Sequence, residues 1–329
     1  MSSRGPNGMR TLASGFGKLS FDPTDWVTFS AGARFDYYEA EGQRIYESLP
    51  GQSGSRLSPN FGVTLKPLDG LQIFAQYKEG FRAPSLRESY WALPWLIAAN
   101  PNLKGEVSKN WEFGFNVLEE NVLTDGDKLG FKVSYFRNRY EDFIATGSVV
   151  GDFGLLFQQF QNIDRANYQG IELSATYDTG TFFAEGSFTQ YLKTEYCTRA
   201  SSCYTPRLDE VLANLAPANY VPPDWSGSVT AGFRIFEEAL TIGGRATFSS
   251  VRSGSDWPPA SGGIGMIGLQ YTWPEFVVFD LFGSYKFSED TRLNFSVENL
   301  TDQYYYGPLA TTGMPSPGRT ARLMLTHRF

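Results

Sequence analysis

The 329-residue chain is 16% aromatic and only 19% charged, with 34 glycines, a composition that suits an all-β protein better than a soluble α/β enzyme. A net charge of -7 supplies no basic face for neutralising phosphates, so nucleic acid is excluded as a partner. No stretch approaches the roughly 20 apolar residues of a spanning helix, which excludes a helical membrane protein as well.

The first residues, "MSSRGPNGMR", lack the charged and apolar regions of a secretory leader. From there, strict alternation of apolar and polar residues recurs along the chain and predicts strands with one apolar and one polar face. About thirteen are expected, at 10–21, 26–38, 57–66, 70–80, 109–118, 129–143, 166–177, 181–193, 226–236, 239–249, 275–287, 291–299 and 320–329. The clearest sets Leu293, Phe295 and Val297 against Arg292, Asn294, Ser296 and Glu298. Most are near the about 9 to 11 residues of a tilted membrane strand.

The connections choose the architecture. Short turns at Asp22, Pro67, Asp178, Glu237 and Ser288, and a longer one over 119–128, alternate with long loops over 39–56, 81–108, 144–165, 194–225, 250–274 and 300–319. Tight turns at one end and long loops at the other are the pattern of a transmembrane antiparallel β-barrel in the outer membrane of a Gram-negative bacterium, with lipid as its surroundings. Alternation alone would also allow a soluble β-sandwich or propeller. The last strand leaves a long loop and ends at Phe329, so it runs towards the periplasm. Counting back through thirteen strands makes the first run the same way, and an odd antiparallel barrel would have to close on a parallel pair. Residues 1–329 are therefore expected to form one partial barrel domain, the C-terminal part of a larger barrel.

Few residues offer chemistry. Cys197 and Cys203, the two cysteines, flank the polar stretch "CTRASSC" and are expected to form a disulfide outside the cytoplasm. "GIGMIG" at 263–268 matches a dinucleotide-loop pattern but follows a Pro-rich loop rather than a strand. The sole histidine, His327, shares the outward parity of Leu325 and Phe329, which leaves a Ser/His/Asp catalyst without its base. No enzyme activity, intrinsic cofactor or metal-binding spacing is expected.

Two boxes carry more information. "FRAP" at 81–84 and "NPNLKGEVSKNWEFGFN" at 100–116, with "QNIDRANYQGIELSATYD" from Gln161, "VENLTDQYYYGPLA" from Val297 and the terminal "PGRTARLMLTHRF", resemble TonB-dependent outer-membrane receptors of the haem and haemoglobin class. "VPPDWSGSVTAGFRIF" and the paired cysteines lean towards haemophore-type receptors. The resemblance implies a barrel of 22 strands with a plugged lumen, closing on a terminal aromatic such as Phe329, and coupled to the TonB complex through the plug. It also implies haem, delivered free or by a haemophore or haemoprotein, as the transported ligand.

The family's haem receptors place a histidine between the two boxes, but 85–99 contains none. Tyr90 is left there as the one residue able to ligate ferric iron. Trp91 and Trp95 suit a porphyrin face, and Arg82 and Arg87 suit its propionates. The same residues would equally pack the loop, meet a partner protein or hold an anionic siderophore. A siderophore-receptor fragment and a passive, non-transporting barrel fragment stand as the alternatives.

Overall fold

A lipid-facing barrel wall needs apolar side chains on every second residue, and the register shows how the sequence supplies them. In the computed structural model, which describes residues 7–44, 47–93, 97–150, 154, 156–205, 221–251, 274–307 and 315–329, nearly every described residue lies in or beside one twisted sheet. Its strands are β1 (Asn7–Thr24), β2 (Val27–Arg44), β3 (Glu47–Leu68), β4 (Leu71–Arg82), β5 (Ile97–Ala98), β6 (Glu106–Glu120), β7 (Lys128–Val150) and β8 (Leu156–Asp178). They continue with β9 (Phe182–Arg199), β10 (Ser202–Tyr204), β11 (Trp225–Ile235), β12 (Leu240–Ser249), β13 (Phe276–Lys286), β14 (Thr291–Glu298) and β15 (Thr320–His327). Of these fifteen, β5 and β10 lie off the main path. The other thirteen pair antiparallel in chain order, the meander that hairpin connections dictate.

Paired residues align the apolar parity across strands. Phe21 faces Phe29, which faces Val63, then Ala75, Phe113, Tyr135 and Ile171. Phe21, Phe29 and Phe113 are 65%, 49% and 43% exposed, as side chains turned towards lipid must be. The other parity carries polar pairs: Glu112 accepts from Gln76 and from Lys132 Nζ at 3.0 Å. Such charges belong on the lumen side, because a lipid-facing Lys or Arg costs about 2 to 4 kcal/mol at the midplane.

The hydrophobic cluster that is buried without lipid lies elsewhere. Phe143, Ile163, Ala166, Tyr196, Val221 and Tyr306 pack together with Tyr140 and Tyr168 near the long-loop ends of β7, β8 and β9. That cluster stiffens the projecting strands.

The structure corrects the expected loops. β2 and β3 stay paired until Arg44 faces Glu47, and β7 and β8 until Val150 faces Leu156, so 39–56 and 144–165 are mostly ladder. Within 194–225, β9 runs on to Arg199 and returns as β10. Twenty-three residues in β7 reach roughly 75 Å at about 3.3 Å per residue, far beyond the bilayer. Out there neither face meets lipid, so alternation fades, while backbone hydrogen bonds continue regardless of side chain. Residues 206–220, 252–273 and 308–314 of the expected 194–225, 250–274 and 300–319 loops lie outside the described residues.

The short turns match their chemistry. Gly70 sits at φ 74°, and a Cβ there would come within 2.1 Å of Glu119 Oε1, so only glycine fits. In the 119–128 turn, Asp127 is fully buried and accepts from the N–H groups of Val122, Leu123 and Thr124 at 2.7, 2.8 and 2.7 Å. Tyr177 Oη donates to the same carboxylate at 2.8 Å. Burial alone would raise the Asp127 pKa, but these donors outweigh it and hold the group well below its ordinary 3.8.

Candidate functional site

The segment between the two boxes opens on a short helix, which the strand pattern does not predict. Ser85 and Glu88 form a reciprocal capping box: Glu88 N–H donates to Ser85 Oγ at 3.2 Å and Ser85 N–H to Glu88 Oε2 at 2.7 Å. They start the five-residue helix α1 (Leu86–Tyr90). The S-x-x-E spacing was the available signal.

Arg82, the last residue of β4, ties this helix to the barrel wall. Its Nε donates to Glu106 Oε2 at 2.5 Å, and its two Nη atoms donate to Glu88 at 3.0 and 2.9 Å. Glu106 opens β6 and also accepts from the Ile144 N–H at 2.7 Å. One guanidinium therefore joins β4, α1 and β6, and β7 through Glu106. Burial would raise the Glu88 pKa, but the Arg82 and Ser85 hydrogen bonds outweigh it and lower the value below normal. The guanidinium that the sequence offered to a propionate is already committed to two carboxylates. Arg10 Nη1 holds the box from the other side, donating to Pro84 O at 2.9 Å.

Tyr90 is 1% exposed, and its hydroxyl lies within 2.9 Å of Ala40 O and 3.2 Å of Pro50 O, one on each arm of the β2/β3 hairpin. A Cβ on Gly42 would lie 2.2 Å from the ring, so this glycine makes the seat for the phenol. Gln52 Nε2 adds a 2.5 Å bond to Ser89 Oγ. Burial, with Glu41 and Tyr38 nearby, pushes the phenol pKa up and disfavours tyrosinate. The iron-ligand expectation does not fit this arrangement. In it, Tyr90 is a packing residue that locks α1 onto the hairpin.

The second box is a clamp as well. Asn100 N–H donates to Ser89 O at 2.9 Å, and Asn100 Nδ2 donates to Phe160 O at 2.8 Å. Asn162 accepts from the Lys104 N–H at 2.8 Å and donates to Lys104 O at 3.0 Å and Asp142 O at 2.6 Å. Between the clamps, β5 adds in parallel to Gln158 and Gln159 of β8, while Leu93 and Ile97 exchange two 3.0 Å backbone bonds. Trp95 lies outside the described residues. Trp91, half-buried, follows the helix with the exposed Arg87 guanidinium 4.7 Å from its ring centroid. The structure thus brings Arg87 and Trp91 together on an accessible face and turns Tyr90 and Arg82 to internal work.

The remaining sequence candidates sit apart. Cys197 and Cys203 are joined by a disulfide across the β9/β10 hairpin, with Arg165 Nη2 3.3 Å from Cys203 Sγ. His327 Nδ1 is 2.9 Å from Thr291 Oγ1 at the short-turn end, and Phe329 beside it is exposed.

Comparison with known proteins sets this geometry among receptors. A hemophilin receptor of Acinetobacter baumannii is 25% identical over 87% of this chain and 29% of its own length. A hemin receptor of Yersinia enterocolitica is 27% identical over 92% and 42%. Among solved structures, a double mutant of the Serratia marcescens hemophore receptor HasR, in complex with its hemophore HasA and heme, superimposes with a TM-score of 0.73. It is 25% identical, over 98% of this chain and 52% of that one. The chain spans less than half the length of the two sequence relatives. The family model described as TonB dependent receptor-like, beta-barrel matches residues 2–300. With that match, the alternating register and the loop asymmetry, the chain belongs to the TonB-dependent receptor β-barrel family of the Gram-negative outer membrane.

Proposed function

We propose that this chain forms wall and extracellular surface of a receptor for haem uptake, and that the loop between the boxes presents the haem-facing side chains. The observation that carries this reading is the clamped loop. Arg82, Tyr90, Asn100 and Asn162 fix both ends, leaving Arg87 and Trp91 as its outward part among the described residues. An indole suits stacking on a porphyrin, and an exposed guanidinium suits a propionate. The two haem-related receptors and the HasR complex support haem over other iron compounds.

With no histidine in 85–99 and Tyr90 engaged, affinity would rest on stacking and propionate pairing, with the axial ligand supplied from outside this loop. A haemophore or haemoprotein that delivers haem would meet the same face. Energised import through TonB belongs to the whole receptor, plug included.

Hemin titrated into the protein in detergent micelles, with a ferric catecholate siderophore as competitor, tests the substrate class. Saturable hemin binding that the siderophore does not displace is expected. Displacement by the siderophore would move the assignment to siderophore uptake, and saturation by neither would favour a passive barrel segment.

A further inference from the structure

Directly above the apolar band, the outer wall changes character over two register rows. The first runs Phe61, Tyr77, Trp111, Arg137, Gln169, Lys193 across β3, β4 and β6 to β9. The second runs Glu79, Lys109, Arg139, Asn167, Glu195. On β3, β4 and β6 to β8 these residues share the parity of Phe113 and Ile171, and the bulge in β9 brings Lys193 and Glu195 into register with them, so their side chains leave the sheet on its lipid side.

Glu79 is committed to Arg56 at 2.6 Å. That leaves four cations, Arg137, Arg139, Lys109 and Lys193, against two carboxylates. Glu141 is shared between Lys109 at 2.7 Å and Arg139 at 3.1 Å, and Glu195 takes Lys193 at 3.0 Å. Arg137 is exposed and makes no ion pair or hydrogen bond among the described residues.

A bare guanidinium on a lipid-facing wall is costly within hydrocarbon and is satisfied only at headgroup level, where an anion can meet it. The row of Arg137 lies towards the long-loop end of the strands, and hence in the outer leaflet. An apolar groove adjoins it. About 630 Å³ in volume, the groove is lined by Leu19, Phe21, Phe29, Phe61, Tyr77 and Trp111, the last three in the same row as Arg137.

We propose that this face is a binding site for a phosphorylated lipid of the outer leaflet. Arg137, with Arg139 and Lys109 beside it and Lys193 two strands away, pairs with headgroup phosphate, and an acyl chain lies in the groove between Phe29, Phe61 and Trp111. Charge complementarity selects the headgroup, since guanidinium forms bidentate bonds to phosphate. The aromatic floor selects a chain rather than a free anion.

The test uses the full chain in detergent micelles, with lipid binding read by native mass spectrometry and by the shift in melting temperature. Probes are bis-phosphorylated lipid A, the same lipid with its phosphates removed, and inorganic phosphate. The phosphorylated lipid is expected to bind and to raise the melting temperature. Removing its phosphates, or making the Arg137→Ala/Arg139→Ala pair, should weaken binding at least about tenfold, as two lost cations at a headgroup imply. Lys128→Ala, at the short-turn end, should change nothing. Equal affinity for the dephosphorylated lipid on the unaltered chain would overturn the proposal without recourse to any variant. So would full affinity in the double variant, and so would complete competition by inorganic phosphate, which would mark a free-anion site.

Discussion

Tyr90 spends its hydroxyl on two backbone carbonyls and its ring on the Gly42 seat, and both uses predict how variants behave. Tyr90→Phe leaves the two carbonyls without that donor and should lower stability by about 1 kcal/mol, measured by denaturant unfolding in micelles. Because the phenol does not reach open space, the Soret spectrum of bound haem should stay as it was. A shifted Soret band would restore Tyr90 as an iron ligand. Asp127 makes a pH prediction. Its pKa is lower folded than unfolded, so its contribution is fully present above its ordinary value near 3.8 and is lost as pH falls through the folded value. Melting temperature should therefore drop on acidification below about pH 4, and Asp127→Asn should flatten that part of the profile. An unchanged profile in the variant would place the acid sensitivity in another carboxylate.

At the scale of elements, the loop between the boxes behaves as a part held at both ends. Gly42→Ala drives a methyl into the Tyr90 ring and should cost about 1 to 3 kcal/mol through overpacking, with faster hydrogen exchange in α1 as the readout. Asn162→Ala should free residues 100–104 in the same way while leaving the register of β7 and β8 intact. Exchange confined to α1 in both variants would argue that the second box is not a clamp. The sequence made the membrane-spanning halves of these strands legible, because lipid on one side enforces alternation. It hid the projecting halves of β2, β3, β7 and β8, where no lipid face enforces alternation and the backbone ladder continues regardless of side-chain type. The Arg82 hub was half visible: the box marked Arg82, but Glu106 lies 24 residues away and is joined to it only by the return of the chain as β6. Helix α1 was announced by Ser85 and Glu88, a signal masked by the aromatic residues around it.

At the scale of the molecule, one meander of thirteen strands among the described residues presents an apolar band to lipid and raises β7 and β8 well beyond it to support the loop. The Phe143 and Tyr196 cluster braces that projection, so the loop between the boxes sits on a stiffened rim rather than on free chain. We propose that this rim holds haem through the outward part of the loop. Hydrogen exchange of the protein in micelles, with and without hemin, tests it most directly. Added protection across 86–99 is expected, reduced by Arg87→Ala with Trp91→Ala. Protection elsewhere in the sheet with 86–99 unchanged would contradict it.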